Sequence, residues 1–279
     1  MKGKRVGIGK QNHFRSSVFA VAWIDLLGYG SMLKECGFDP TSSQANAAVT
    51  RLEMFNEISL KHANLNFPIL QINDGIAARR ELSFRTNSVT QDFLCRSLEF
   101  FYDLSQTEKA NGFPGPRMVI ATGVRMKMKS IKSEISNQRA NRLIDKVKQK
   151  DITYEQAIHQ ACSYSQYANG VQELQANFAF TKAFLAEDSG SKHGIAGNNV
   201  YIDMSFFGKE DNKIQCIELD VPFMWNACQG LESLFAKVNG FSKEQFSLYS
   251  KEEILSTREI ASLVLRCNPQ EEILKRLKK

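Results

Sequence analysis

Apolar residues run unbroken over positions 18–24 (Val-Phe-Ala-Val-Ala-Trp-Ile) and stop at Asp25. A run without polar alternation predicts a strand buried on both faces. Gly28 and Gly30 follow within five residues and mark a tight turn. Asp39-Pro40-Thr41-Ser42 then opens a stretch where Ala48, Leu52, Phe55 and Ile58 recur at helical spacing on one apolar face. After Pro68, residues 69–72 read as a strand and Asn73-Asp74-Gly75 as a reversal, because Asn, Asp and Gly tolerate the left-handed backbone. Residues 76–82 form the return strand. Ser88-Val89-Thr90-Gln91 reads as a capping box opening a second helix, with Phe93, Leu94, Leu98 and Phe101 toward the core. Beyond the turn at residues 112–116, residues 117–123 are strand-like. The order strand, helix, strand, strand, helix, strand predicts an α+β fold of the ferredoxin-like βαββαβ type, with helices on one face of an antiparallel sheet.

The second half reads as more helical. Thr153-Tyr154-Glu155-Gln156 is a capping box opening helical sequence that continues intermittently to about residue 187. Glycines at 194 and 197 break it, and residues 199–203 and 214–219 are strand-like. From Pro222 onward the pattern is mostly helical, with capping boxes at Ser242/Gln245 and Ser250/Glu253. The expected organisation is a basic tail over 1–16, a catalytic domain over 17–221 with a basic arm inserted at 125–150, and a helical extension over 222–279.

Charge sharpens this picture at one place. The net charge is +6, yet residues 125–150 alone carry nine Lys/Arg against Glu134 and Asp145, leaving about −1 for the rest. Such a segment attracts polyanions or forms a solvated helix face. With 43% hydrophobic residues over 279 positions, the chain can bury a sizeable core. No apolar run approaches the roughly 20 residues of a membrane-spanning helix. The basic N-terminus lacks the apolar stretch of a signal peptide, so a cytoplasmic protein with no membrane partner is expected. Six scattered cysteines without a C-x-x-C pair exclude a zinc ribbon and suit reduced thiols. The four histidines share no metal-ligand spacing, and Gly7-Ile8-Gly9-Lys10 lacks the full spacing of a phosphate loop.

The chemistry concentrates in Asp25 and Asp74. One directly follows a buried strand and the other occupies the turn between the next two strands, so the fold expected above brings both carboxylates to one sheet end. Two carboxylates at close range repel unless a cation lies between them, and hard oxygen ligands favour Mg²⁺ or Mn²⁺. Two such ions suit phosphoryl or nucleotidyl transfer.

Here the chain resembles a family. Trp23-Ile24-Asp25-Leu26-Leu27-Gly28-Tyr29 looks like the first-strand motif of the class III nucleotide cyclases (adenylate and guanylate cyclases), and Ile72-Asn73-Asp74-Gly75-Ile76-Ala77 resembles their hairpin, with Asn-Asp where Gly-Asp is usual. Residues 117–123 resemble a later family strand that also ends in glycine. The resemblance covers residues 18–125 and, more weakly, 175–205. It implies two Mg²⁺ or Mn²⁺ ions held by Asp25, Leu26 and Asp74, and phosphates facing the backbone amides of Leu27, Gly28 and Tyr29. The implied reaction is attack of the ribose 3′-hydroxyl of a nucleoside triphosphate on its own α-phosphate, in a head-to-tail homodimer with interfacial active sites. The compact organisation resembles the bacterial pyrimidine (uridylate or cytidylate) cyclases, which make cyclic UMP or cyclic CMP in anti-phage defence beside a separate effector that senses the cyclic nucleotide.

One departure stands out. The family places Asn and, four residues on, Arg on a late helix, where they stabilise the transition state. Asn177 is present, but Thr181 stands at the Arg position with Lys182 beside it. Lys182 substitutes, Arg125 supplies the guanidinium from elsewhere, or activity is reduced or absent; a lysine is a point charge and not a planar fork. Two rival readings follow: a nucleotide-binding module without turnover, and a nucleic-acid-associated protein using the basic arm. The arm has no aromatics between residues 125 and 150, so base stacking is unsupported and nucleic acid is not the expected partner.

Overall fold

The computed structural model describes residues 15–37, 39–127, 134–163, 172–208, 214–226 and 231–265. Most of the expected basic tail, residues 1–14, lies outside the described residues. The elements run β1 (Arg15–Leu26), α1 (Tyr29–Glu35), α2 (Ser43–His62), β2 (Ile69–Ile72), β3 (Gly75–Glu81), α3 (Ser88–Ala110), β4 (Pro116–Lys127), α4 (Glu134–Lys148) and α5 (Tyr154–Ser163). They continue with α6 (Phe178–Ser189), β5 (Val200–Asp203), β6 (Glu218–Leu219), β7 (Phe223–Asn226), β8 (Glu232–Gly240), α7 (Lys243–Glu253) and α8 (Thr257–Val264). The chain divides into one unit of residues 1–126 with 177–279 and a second of 127–176.

In the larger unit the strands form a mixed sheet in the order β2-β3-β1-β4-β5-β8-β6, with β7 also on β8. The order of its first four strands is that of the expected split βαββαβ core. The pairs β1–β3, β2–β3, β5–β8 and β7–β8 are antiparallel, and β4–β5 is parallel. The unbroken apolar run of β1 is explained by burial on both faces. Val18, Ala20, Ala22, Ile24 and Leu26 enter the core cluster that also holds Phe55 of α2 and Phe93, Leu98 and Phe101 of α3. The alternate residues Phe19, Val21 and Trp23 are also buried, and Trp23 meets Phe180 and Phe184 of α6 edge-on at 5.6 and 5.3 Å.

The two core helices α2 and α3 share one face of the sheet as expected, and a further helix, α6, covers the opposite side. Gly123 makes the approach possible. A Cβ there would lie 2.2 Å from the backbone nitrogen of Ala179, so only glycine lets β4 and α6 touch backbone to backbone.

The region from Pro222, expected to be helical, begins with a β7–β8 hairpin. Its second strand inserts beside β5 through the pairs Tyr201–Lys237, Ile202–Ala236 and Asp203–Phe235. Phe235 and Ala236 are fully buried there, a tertiary demand that local helical pattern does not reveal. The helices α7 and α8 then follow. Ser242 caps α7 as expected, accepting from the Gln245 N–H at 3.4 Å, a reciprocal capping box forms at Ser256/Glu259, and Glu253 accepts from the amides of Gln215 and Cys216 at 2.8–2.9 Å. The box expected at Ser88/Gln91 is also displaced, because the α3 N-cap is Asn87 with no side-chain cap.

The smaller unit contains α4 and α5, which pack on one another. The Thr153/Gln156 box forms as expected, with reciprocal bonds of 2.9 and 3.1 Å. The expected start of the arm shifts, since Arg125 and Met126 still belong to β4.

Candidate functional site

Strand pairing brings Asp25 and Asp74 to the same sheet end. Asp25 pairs with Gly75 in the β1–β3 ladder, and Ile72 pairs with Gly75 across the hairpin, which leaves Asn73 and Asp74 as its two turn residues. Asn73 takes the left-handed conformation that the reversal needs, at φ 56°, and its side-chain amide donates to Asp74 Oδ1 at 2.8 Å. The backbone N–H of Leu26 donates to the Asp74 carbonyl at 3.2 Å, which ties the hairpin tip to the end of β1.

Burial, followed by the negative charges of Glu187 and Asp74, pushes the Asp25 carboxyl up to about 7; Arg117 and Arg51 oppose the shift. The Tyr29 phenol is also raised, by burial first and then by Asp74. Leu26 has its side chain fully inside the core, so only its backbone carbonyl is available as a ligand. Two carboxylates and a carbonyl are a hard-oxygen set, which fits Mg²⁺ or Mn²⁺ completed by water and substrate oxygens. Among the described residues, no group of three His, Cys, Asp or Glu forms a metal cage of protein side chains alone.

Sequence reasoning missed the charges that frame Asp25. Arg117, at the start of β4, donates through Nε to Glu187 Oε1 at 2.9 Å and through a terminal nitrogen to the Glu187 carbonyl at 3.1 Å. Arg51 of α2 is fully buried, bonded to Glu108 of α3 through Nε at 3.0–3.1 Å and to the Leu27 carbonyl at 3.0 Å. A signal existed for the second pair, because Arg51 and Glu108 fall on the apolar stripes of their helices.

The loop after Asp25 is held from two sides. Leu27 donates its N–H to the Gly115 carbonyl at 3.1 Å, and Gly28 turns the chain at φ 78° into α1. The expectation that the Leu27 amide faces phosphates is therefore corrected, and the available amides narrow to those of Gly28 and Tyr29.

The three residues expected to act on the transition state lie elsewhere. Gly115 lies at Leu27 while Arg125 stacks over the Phe19 ring at 5.6 Å, so β4 runs antiparallel to β1. Arg125 and Asp25 are thus at opposite ends of β1, on the order of 20 Å apart by strand rise. Asn177 forms an isolated β-bridge with Arg125. Its side-chain oxygen caps α6, accepting from Ala179 and Phe180 N–H at 3.0 and 3.3 Å. Thr181 is exposed, and its hydroxyl donates back to the Asn177 carbonyl.

Lys182 points inward. It pairs with buried Asp203, with Ser233 Oγ at 3.4 Å, beside a cavity of about 570 Å³ that Thr122 and Ser205 also line. The expectation that Lys182 substitutes for the missing arginine is corrected on this ground, because its charge is spent on Asp203 within the fold.

No family model matches the chain, and no curated protein sequence matches it. Among solved structures it is similar to the guanylyl cyclase Cya2, with 11% identity, TM-score 0.47, and 82% of this chain and 95% of that chain covered. The adenylyl cyclase CyaB from P. aeruginosa gives 12% identity, TM-score 0.46, and coverage of 82% and 96%. The guanylate cyclase domain of RhGC from Catenaria anguillulae, in complex with GTP, gives 8% identity, TM-score 0.42, and coverage of 81% and 98%.

Proposed function

We propose that this chain is a metal-dependent nucleotide cyclase, converting a nucleoside triphosphate to its 3′,5′-cyclic monophosphate and pyrophosphate. One observation carries the reading: Asp25 and Asp74, on separate elements of a chain whose strand and hairpin motifs resemble those of class III cyclases, converge at one sheet end. Asp25, Asp74 and the Leu26 carbonyl would hold two Mg²⁺ or Mn²⁺ ions, whose charge would activate the ribose hydroxyl and steady the pyrophosphate. The chain's own part is to orient the triphosphate. The Gly28 and Tyr29 amides meet phosphate oxygens, and Asp74 is fixed in place by its backbone bond from Leu26.

Transition-state charge calls for a cation, and of the two candidates named from the sequence Arg125 is the better placed. It lies beside Asn177, whereas Lys182 is committed to Asp203. Because Arg125 and Asn177 lie at the opposite end of β1 from Asp25, the complete site takes the carboxylates of one protomer and the Arg125 end of another. A homodimer with two interfacial sites follows.

The finer reading is a uridylate or cytidylate cyclase of bacterial anti-phage defence, acting with a separate cyclic-nucleotide-sensing effector; its support is the sequence resemblance. It is tested by presenting ATP, GTP, CTP and UTP separately with Mn²⁺. A strong preference for a pyrimidine supports it, and a purine preference rejects it while leaving the cyclase reading intact. A second reading, a nucleotide-binding module without turnover, is favoured by exposed Thr181 at the family's arginine position. Nucleotide binding without any product would establish it.

A further inference from the structure

A buried ion pair that could be replaced by well-packed apolar side chains at little cost is weak evidence for stability. Arg51–Glu108 is such a pair: both residues are buried, and Arg51 also lies over the Phe113 ring at 4.7 Å. Arg51 makes one further contact that no apolar residue could reproduce, the 3.0 Å bond from its guanidinium to the Leu27 carbonyl.

That bond has a geometric consequence. In a trans peptide the carbonyl of one residue and the N–H of the next point in opposite directions. Pinning the Leu27 carbonyl inward, onto a guanidinium with no solvent exposure, turns the Gly28 N–H away from the core. The Leu27 N–H is fixed on the other side by the Gly115 carbonyl at 3.1 Å, so consecutive peptide planes are both held. Gly28 has a left-handed backbone and no side-chain cap, and a glycine loop without such ties would be free to flip this plane.

We propose that Arg51 is a positioning residue for phosphate binding, with Glu108 orienting its fork: the pair sets the Leu27–Gly28 peptide plane so that the Gly28 amide meets a phosphate oxygen. The inference rests on the phosphate-loop part of the cyclase reading. It predicts that the pair matters for polyphosphate affinity more than for folding.

The test uses the full chain and inorganic tripolyphosphate with diamagnetic Mg²⁺, which requires no turnover. Two variants are compared with the unaltered protein: Arg51→Met with Glu108→Met, which replaces the ion pair by apolar volume, and Arg51→Lys, which keeps the charge but loses the fork. Affinity is read by calorimetry and the Gly28 amide by ¹⁵N–¹H NMR. The expected result is folded variants with at least tenfold weaker binding, and a ligand-induced Gly28 amide shift present only in the unaltered chain. A variant that folds and binds tripolyphosphate as well as the unaltered chain, with the same Gly28 shift, overturns the positioning role while leaving the cyclase reading standing. Absence of binding by the unaltered chain overturns the phosphate loop itself. Should the double variant not fold, the Arg51→Lys comparison decides alone.

Discussion

The backbone N–H of Leu26 donates to the carbonyl of Asp74 at 3.2 Å, joining two segments 48 positions apart at the end of one strand pair. This bond and the Asp25–Gly75 pairing place the two carboxylates on a common frame. The strand ladder fixes the site, so the site should survive changes elsewhere in the fold.

The first prediction concerns pH and stability without metal. Asp25 has a carboxyl raised to about 7 by burial, against 3.8 for the ordinary group, so between those values the folded chain binds more protons than the unfolded chain. Stability attributable to this group therefore falls as pH rises from about 4 to 7. Asp25→Asn is expected to raise the Tm at pH 8 and leave it nearly unchanged at pH 4, as read by thermal denaturation in chelator. An equal shift at both values contradicts the assignment.

For metal binding the same shift has the opposite sign. Cation binding must displace the Asp25 proton, so Mn²⁺ affinity is expected to rise through pH 6–8 with proton release. Calorimetry in buffers of different ionisation enthalpy would show the released proton, and Asp25→Asn should abolish it.

Lys182 is predicted to be structural. Lys182→Ala leaves Asp203 buried without its cation, which costs about 3–5 kcal/mol on the scale of broken buried pairs. Lys182→Met combined with Asp203→Asn, which keeps an acceptor for the Thr122 and Ser205 amides, should recover much of the Tm and retain turnover. Loss of turnover in a folded double variant would return Lys182 to the catalytic set.

The composite site predicts complementation. Asp74→Asn removes one end of the site and Arg125→Ala the other, and each variant alone should be inactive. Mixed as exchanging homodimers, they form heterodimers with one intact site, which restores about a quarter of the unaltered activity on statistical grounds. No recovery, with subunit exchange demonstrated, contradicts the two-protomer site.

Much of this was legible in the sequence because the signals were local. The unbroken run at 18–24 announced a doubly buried strand, and Asn73-Asp74-Gly75 announced its turn. What escaped depended on tertiary contact. Strand β8 lies in a stretch whose local pattern is helical, because the demand that makes it a strand comes from pairing with β5. Lys182 and Thr181 are neighbours in sequence, and only the side of α6 facing Asp203 separates a buried ion pair from an exposed hydroxyl. Arg51 is hidden by the pattern that contains it, since its neighbour Leu52 already marks the apolar stripe of α2.

The central claim is tested most directly by incubating the purified chain with each nucleoside triphosphate and Mn²⁺ and resolving the products by mass spectrometry, with Asp74→Asn in parallel. A 3′,5′-cyclic monophosphate from at least one nucleotide, lost in the folded Asp74→Asn chain, is the predicted result. No cyclic product from any of the four, in a chain shown to be folded and dimeric, would contradict it.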